Sequence, residues 1–497
     1  MKKVVIIGSG LGGLSCGALL AKNGYQVVVL EQGSQIGGCL QCFSRRGERF
    51  ETGMHFIGSA GEGQMLDKLF RFLGIKDDLR LSSLDQTCYD VISINGNRFC
   101  FANGREAFIG QMASYFPHQK DNLAAYFDLV ERVASASSLH SVCFSTAESA
   151  MSVEFLLRTI PEVIDEVITD PLLAKVLVGN LPLYAAEREK TPFSTHAFIM
   201  DFYNRGAYRF IGGSEQVAMA LQRQIERFGG QVLTNNKATR ILCDETHATA
   251  VEVNGETVLL ADIVISAIHP VRTLELLQTK LIRQSYRERI KSIPNTISNF
   301  SLYLQFKDGA MPYMNHNFYS YNQGTPWDCE KYDTLSWPKG YLYMHFCGEE
   351  NPRYARSGVV LSYMKMDDVR QWQGTTVGHR GADYEEFKRQ KAERLLDIME
   401  KDMPGIRNAI AYYYTATPLT YRDYTGTEEG SIYGVAKGVA LGLTGRVSHK
   451  TKVPNLLLSG QNINSHGMLG VLVGTIVTCS EILGTDNVYN QIMEANR

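Results

Sequence analysis

The chain has 497 residues, 44% hydrophobic and 21% charged, with a formal net charge of −2. It is too long for a single core and has the balance of an ordinary globular enzyme. Near-neutral charge without a dense basic run excludes a nucleic-acid-binding profile. No stretch reaches the roughly 20 uninterrupted apolar residues of a membrane-spanning helix.

The first strand starts directly after Lys2-Lys3, which leaves no room for a secretory leader, so a cytoplasmic location is expected. The ten scattered cysteines are then expected as reduced thiols rather than a disulfide framework.

Residues 3–31 read as strand, glycine turn, helix and second strand. The turn is Gly8-Ser-Gly-Leu-Gly-Gly13 and the second strand ends in Glu31-Gln32. Gly8 permits the tight turn and Gly10 lets backbone N–H groups approach a pyrophosphate. Gly13 lets the helix lie close to the strand, and the helix N-terminus supplies partial positive charge. Glu31, 18 residues past Gly13, stands where a carboxylate takes the adenosine ribose hydroxyls. Together these predict a bound dinucleotide.

A glycine-rich, charged loop (37–47) follows, then Arg49-Phe-Glu-Thr-Gly-Met-His-Phe-Ile-Gly58. Residues 59–73 have a helical pattern, and 80–101 alternate around Asn95-Gly96 as a hairpin. Helical periodicity covers 108–183 and extends to about 205. Phe210-Ile-Gly-Gly-Ser-Glu215 opens a helix, 231–235 reads as a strand continuing to Ala238, and a hairpin follows. Residues 261–268 read as a buried parallel strand. The stretch 298–435 is strand-rich, interrupted by one helix at about 384–402. A second strand–glycine-loop–helix unit closes the chain, from Asn455 through Gly460-Gln461 and Gly470 into an apolar helix from Val471. It can point another helix N-terminus at the same ligand. The expected architecture is α/β: a discontinuous Rossmann nucleotide domain (1–75, 206–295, 436–497) with an inserted α+β substrate or cap domain (76–205, 296–435). Gly58-Ser-Ala-Gly-Glu-Gly63 has the wrong spacing for a second nucleotide turn, so no separate nicotinamide domain is expected.

An NAD dehydrogenase usually completes its nucleotide domain in one block. Recruiting a distant C-terminal segment instead resembles the glutathione-reductase-like FAD fold of amine oxidases, carotenoid desaturases and Rab escort proteins. More specific blocks are Leu30-Glu-Gln, Gly37-Gly-Cys, Phe50-Glu-Thr-Gly-Met-His-Phe-Ile-Gly58, Tyr208-Arg-Phe-Ile-Gly-Gly-Ser214, Thr417-Pro-Leu-Thr-Tyr-Arg422 and Leu458-Ser-Gly-Gln461 through Gly470. In order and spread over nearly the whole chain, they resemble the retinol saturase, carotenoid isomerase and phytoene desaturase family of FAD-dependent oxidoreductases, with the nearest likeness in the saturase branch.

The resemblance implies bound FAD and chemistry on the C=C bonds of a conjugated isoprenoid. Saturation is the first reading. The alternatives are redox-neutral cis–trans isomerisation, desaturation or amine oxidation, and a prenyl-binding escort protein without flavin. NAD(P)H is a candidate transient reductant. Gly8, Ser9, Gly10, Leu11, Gly12 and Gly13 are expected along the diphosphate, Glu31 and Gln32 at the ribose, and Gly37, Gly38 and Cys39 just after it. Ala238 is expected on the adenine side, and Ala267 and Ile268 at a strand's carboxyl end. Gly460 and Gln461 are expected at the ribityl and phosphate region, Met468, Leu469, Gly470 and Val471 at the flavin pyrimidine edge, and Gly53, Met54 and His55 beside the ring.

Saturating an alkene needs a proton besides a hydride, and His55 and His466 are the candidate donors. Cys39 and Cys42 form a CxxC in a loop, where a working disulfide is not expected. No second CxxC or histidine pair follows at metal-ligand spacing, so no metal is expected. Phe116, Tyr126, Phe127, Phe144, Phe155, Tyr184 and Phe198 read as core or as the wall of a polyene tunnel, which carries an expectation of peripheral membrane contact.

Overall fold

The computed structural model describes residues 1–136, 150–322, 324–348, 351–427, 429–442 and 446–497. Phe144 lies outside them.

β1 (Lys3–Ile7), β2 (Gln26–Leu30), β3 (Gln231–Leu233), β4 (Ile263–Ser266) and β5 (Leu456–Leu458) form one parallel sheet in the order β3-β2-β1-β4-β5. These strands are runs of Val, Ile and Leu because helices or a second sheet cover both faces. On one face α1 (Leu11–Lys22) packs between α2 (Glu215–Arg227) and α3 (Gly467–Leu483). The packing is close because α1 carries glycines: a Cβ on Gly17 would stand 2.9 Å from Ile225 of α2. A three-stranded antiparallel sheet, Ala238–Cys243, Ala248–Val253 and Thr257–Leu260, joins a separate apolar core with the other side of the parallel sheet.

A seven-stranded sheet makes up the rest of the core. Its spatial order is Ile410–Ala416, Ser298–Phe306, Ala355–Met364, Tyr341–Cys347, Asn317–Tyr321, Asp90–Ile94 and Asn97–Phe101. Its two faces differ. Phe300, Leu302, Leu304, Val360 and Tyr343 pack with Leu395, Leu396 and Met399 of the helix Ala382–Asp402. The alternate residues face the opposite way, as the period of two requires.

The intervening helices include Arg105–Tyr115, Lys120–Ser135, Ile160–Val167 and Phe193–Asn204. They bury His196 between two hydroxyls, with Tyr126 at 2.7 Å from Nε2 and Tyr184 at 2.9 Å from Nδ1. Burial pushes His196 down to about 3, so the ring is neutral, donating at one nitrogen and accepting at the other.

The structure corrects several expectations. Cys88 and Cys100 form a disulfide, because antiparallel pairing of Asp90–Ile94 with Asn97–Phe101 lays the two ends of this hairpin together. Cys16, Cys39, Cys42, Cys243, Cys329, Cys347 and Cys479 are free thiols. The helix expected over 59–73 is shorter, Met65–Phe72, and is preceded by residues 57–58, which pair as a strand with Ala207–Phe210. Ala238 does not continue β3. The parallel strand stops at Leu233, Asn235 takes a positive φ, and Ala238 opens the antiparallel sheet. Two further helices interrupt the strand-rich region, the single turn Ile406–Ala409 and Pro418–Thr425, the latter started by the Thr417 hydroxyl, which accepts from Leu419 N–H at 3.2 Å. The C-terminal helix starts at Gly467 rather than Val471, and Thr485–Ala495 adds another. Among the described residues no helix is long and apolar enough to cross a membrane.

Gly13 has no room for a Cβ, which would run into the Gly8 carbonyl. Gly110 is exposed within Arg105–Tyr115, with nothing near its missing Cβ. We expect Gly13→Ala to lower the thermal midpoint, at a cost of about 1–3 kcal/mol of overpacking. Gly110→Ala should raise it, by about 0.5–1 kcal/mol. Differential scanning calorimetry checks both, and a Gly13→Ala protein melting at or above the wild type contradicts this packing.

Candidate functional site

The C-terminal edge of the parallel sheet opens into a cavity of about 1430 Å³ that continues onto the inner face of the seven-stranded sheet. At the first turn Gly8 has φ 97° and donates its N–H to Leu30 O at 2.8 Å. Its missing Cβ would stand 2.9 Å from Ile268, so β1 and the end of β4 share one surface. Gly10 differs. Its φ of −66° suits any residue, and nothing of the protein lies within 4 Å of where its Cβ would be. The protein leaves that space open on the cavity wall. Gly12 is crowded instead by the C-terminal loop: a Cβ there would be 2.7 Å from Gly460 Cα.

Glu31, at the end of β2, accepts from Ser9 Oγ at 2.5 Å, Ser9 N–H at 3.2 Å and Gly33 N–H at 2.8 Å. Gly37 and Gly38 take positive φ and close over the turn, with Gly37 N–H on Ser9 O at 2.9 Å.

Ser9, Leu11, Gln32, Ala238, Ala267, Gln461, Met468, Leu469, Gly470 and Val471 line the same cavity, as do Cys39, Gly53, Met54, His55 and His466. Gly13 does not line it; its place is under the turn. Burial raises the Cys39 thiol, and burial with the nearby Glu51 carboxylate holds Cys42 up at about 11, so neither is a ready thiolate.

The two histidines sit differently. His55 is buried, and both ring nitrogens are enclosed without a hydrogen-bond partner among the described residues. Its nearest anion is Glu51, Oε2 to Nδ1 at 3.6 Å, whose other oxygen accepts from Ser214 N–H at 2.9 Å. His466 stacks on Tyr433 with ring centroids 4.5 Å apart. Burial, then the Lys437 cation, push it down to about 3, so at neutral pH it is an uncharged imidazole.

The sequence assigns the substrate to the inserted segments without singling out the residues of the deeper half of the cavity. Its wall is the inner face of the seven-stranded sheet, including Tyr303, Leu342, Met344, Leu361, Tyr363 and Tyr414. These are facing residues in the strand registers: Tyr303 opposite Tyr414, Leu361 opposite Leu342. Of the helical aromatics, Phe116, Tyr126, Phe127, Phe155 and Tyr184 are core, and Phe198 alone among them reaches the cavity. The missed signal was the alternation in Asn299-Phe300-Ser301-Leu302-Tyr303, whose polar-capable positions all fall on one face.

The profile of flavin containing amine oxidoreductases matches residues 11–381. The chain belongs to that family. It is similar to the all-trans-retinol 13,14-reductase of Rattus norvegicus, at 28% identity over 98% of this chain and 86% of the relative. It is also similar to the chloroplastic prolycopene isomerase 2 of an Oncidium hybrid cultivar, at 22% identity over 97% and 84%. A cyclohexylamine oxidase from Brevibacterium oxydans has the same fold, with a TM-score of 0.61, 15% identity and full coverage of both chains. The architecture is the glutathione-reductase-like FAD fold, and the protein is an FAD-dependent oxidoreductase.

The residues present fit that cofactor. The open space over Gly10 would receive the diphosphate and the Glu31 carboxylate would meet the ribose, while the N-terminus of α3 faces the same cavity from Gly467 onward. We expect Gly10→Val to purify without flavin absorbance while its apoprotein keeps the wild-type apoprotein's thermal midpoint, since the side chain fills ligand space only. Glu31→Ala should also lose flavin, because ribose hydroxyls, Ser9 and the Gly33 N–H all lose their acceptor. A Gly10→Val protein carrying stoichiometric FAD rules out this placement.

Proposed function

We propose that the protein saturates a C=C bond of a conjugated isoprenoid, a retinoid or carotenoid. One observation carries this: the dinucleotide cradle and an apolar, aromatic chamber are one continuous cavity, large enough for a long apolar ligand beside the cofactor. Removing such a ligand from water supplies roughly 25 cal/mol per Å² of apolar surface. The likeness to a retinol reductase over nearly the whole chain supports the reading. Bound FAD supplies the hydride.

The protein's own residues do the rest. The tyrosine-lined sheet face holds the polyene and excludes water. The N-terminus of α3 places positive potential against the cavity, which stabilises negative charge developing there. The proton we assign to the buried His55–Glu51 pair, since His466 is held neutral. His55→Ala should keep FAD yet slow reoxidation of the reduced enzyme by polyene; unchanged reoxidation removes His55 from the reaction. NAD(P)H acting transiently at this cavity is the reductant we propose. Peripheral contact with a bilayer fits the mouth, where Val377 and Tyr424 stand exposed on the cavity wall.

The decisive experiment incubates reduced enzyme anaerobically with retinol and with carotenoids, following flavin reoxidation and product mass. A gain of two hydrogens with reoxidation is the expected result. Unchanged mass with altered chromatographic mobility means isomerisation, the activity in the name of the Oncidium relative. If no polyene reoxidises the flavin, the isoprenoid assignment fails and the flavoenzyme assignment alone stands.

A further inference from the structure

Behind the C-terminal glycine loop, outside the cavity wall, lie two basic side chains with no carboxylate partner among the described residues. Lys437 Nζ donates to the carbonyls of Gln461 at 2.8 Å and Val435 at 3.1 Å. Arg446 stands near it, and the Arg446 Nε is enclosed without a hydrogen-bond partner among the described residues. No carboxylate among the described residues pairs with either. The charged group acting on Lys437 is Arg446, and Lys437 in turn acts on His466, so all three influences are of one sign.

A buried ammonium without a counter-ion costs several kcal/mol, and proteins seldom leave one so placed. Burial and then Arg446 lower Lys437 to about 7, which is that cost expressed as proton affinity. The arrangement is also rigid: Val435 N–H donates to Asn462 Oδ1 at 3.0 Å, and Gly434 is packed so closely on Asn462 that a Cβ has no room. Residues 434–437 are thereby fastened to the loop 460–466, which runs directly into the N-terminus of α3. On its other side this loop lines the cavity through Gln461, Asn462, Ser465 and His466, where an anionic ligand would stand opposite these charges.

We propose that Lys437 is a positioning residue that favours the reduced over the oxidised flavin, acting through the Gln461 carbonyl and the loop that ends at His466. Two electrons and one proton leave the ring with one negative charge, and Lys437 together with the α3 N-terminus balances it. The inference rests on the reading above that Gln461 and Met468–Val471 face the ribityl and pyrimidine parts of FAD. Lys437 does not line the cavity and touches no reacting atom.

The test is the two-electron midpoint potential of the FAD-loaded full chain, titrated anaerobically with dithionite against a reference dye. Lys437→Met should retain FAD and lose at least tenfold of its preference for the reduced form, about 30 mV for a two-electron couple. Lys437→Arg should restore the wild-type potential. A merely structural role would reduce FAD content or the thermal midpoint and leave the potential of the remaining holoenzyme unmoved. Should Lys437→Met fail to fold, Lys437→Gln keeps a donor to the carbonyls without the charge. The wild type also gives its own reading, since a potential at or below that of free FAD overturns the proposal. A Met or Gln variant that holds FAD at the wild-type potential overturns it as well. A wild type that binds no flavin overturns both this inference and the cofactor reading. A flavin-bound variant with an unmoved potential overturns this inference alone.

Discussion

Two glycine turns at opposite ends of the chain touch, and the site depends on that contact. Gly12, opening α1, and Gly460, following β5, approach so closely that a single Cβ would stand 2.7 Å from the opposing Cα. The approach holds β5 at the sheet edge beside β4 and seats α3 against α1. It also sets two helix N-termini on one cavity. Glycine costs conformational entropy at each such position, and the apolar burial of α1 and α3 on either side of the contact offsets it. The two polar loops stay close because the helices behind them cannot move apart.

Charge around the cavity follows from the same burial. His466 is held neutral by desolvation and the Lys437 charge, and Cys39 and Cys42 are kept as thiols. Glu51 and His55 share one enclosure, and the positive groups lie behind the C-terminal loop. The seven-stranded sheet contributes by having two unlike faces. One is sealed by the helix Ala382–Asp402, and the other is left to form the chamber wall.

The nucleotide turn was legible in the sequence because its constraints are local. Gly8 is fixed by a turn and Glu31 by a strand end, both within one strand–helix–strand unit. The C-terminal unit was legible for the same reason, although its contact with Gly12 is not a local fact. The chamber wall was harder to read. Both faces of these strands are buried, so the alternation in 299–303 separates two faces without saying which of them lines a cavity and which packs on a helix. Of the two readings of the aromatic helices, core holds for Tyr126 and Tyr184, whose hydroxyls are spent on His196 rather than on a ligand. Cys88 and Cys100 were missed because their pairing depends on hairpin register, which cysteine spacing does not encode. Ala238 shows how a positive φ at Asn235 can end a strand that composition alone would extend.

The central claim is that one cavity holds both the dinucleotide and the polyene. A crystal structure of the FAD-loaded protein with a bound retinoid tests it most directly. The diphosphate is expected over Gly10 and the polyene along Tyr303, Leu361 and Met344. A polyene bound away from this sheet face, or a dinucleotide that leaves the space over Gly10 empty, contradicts it.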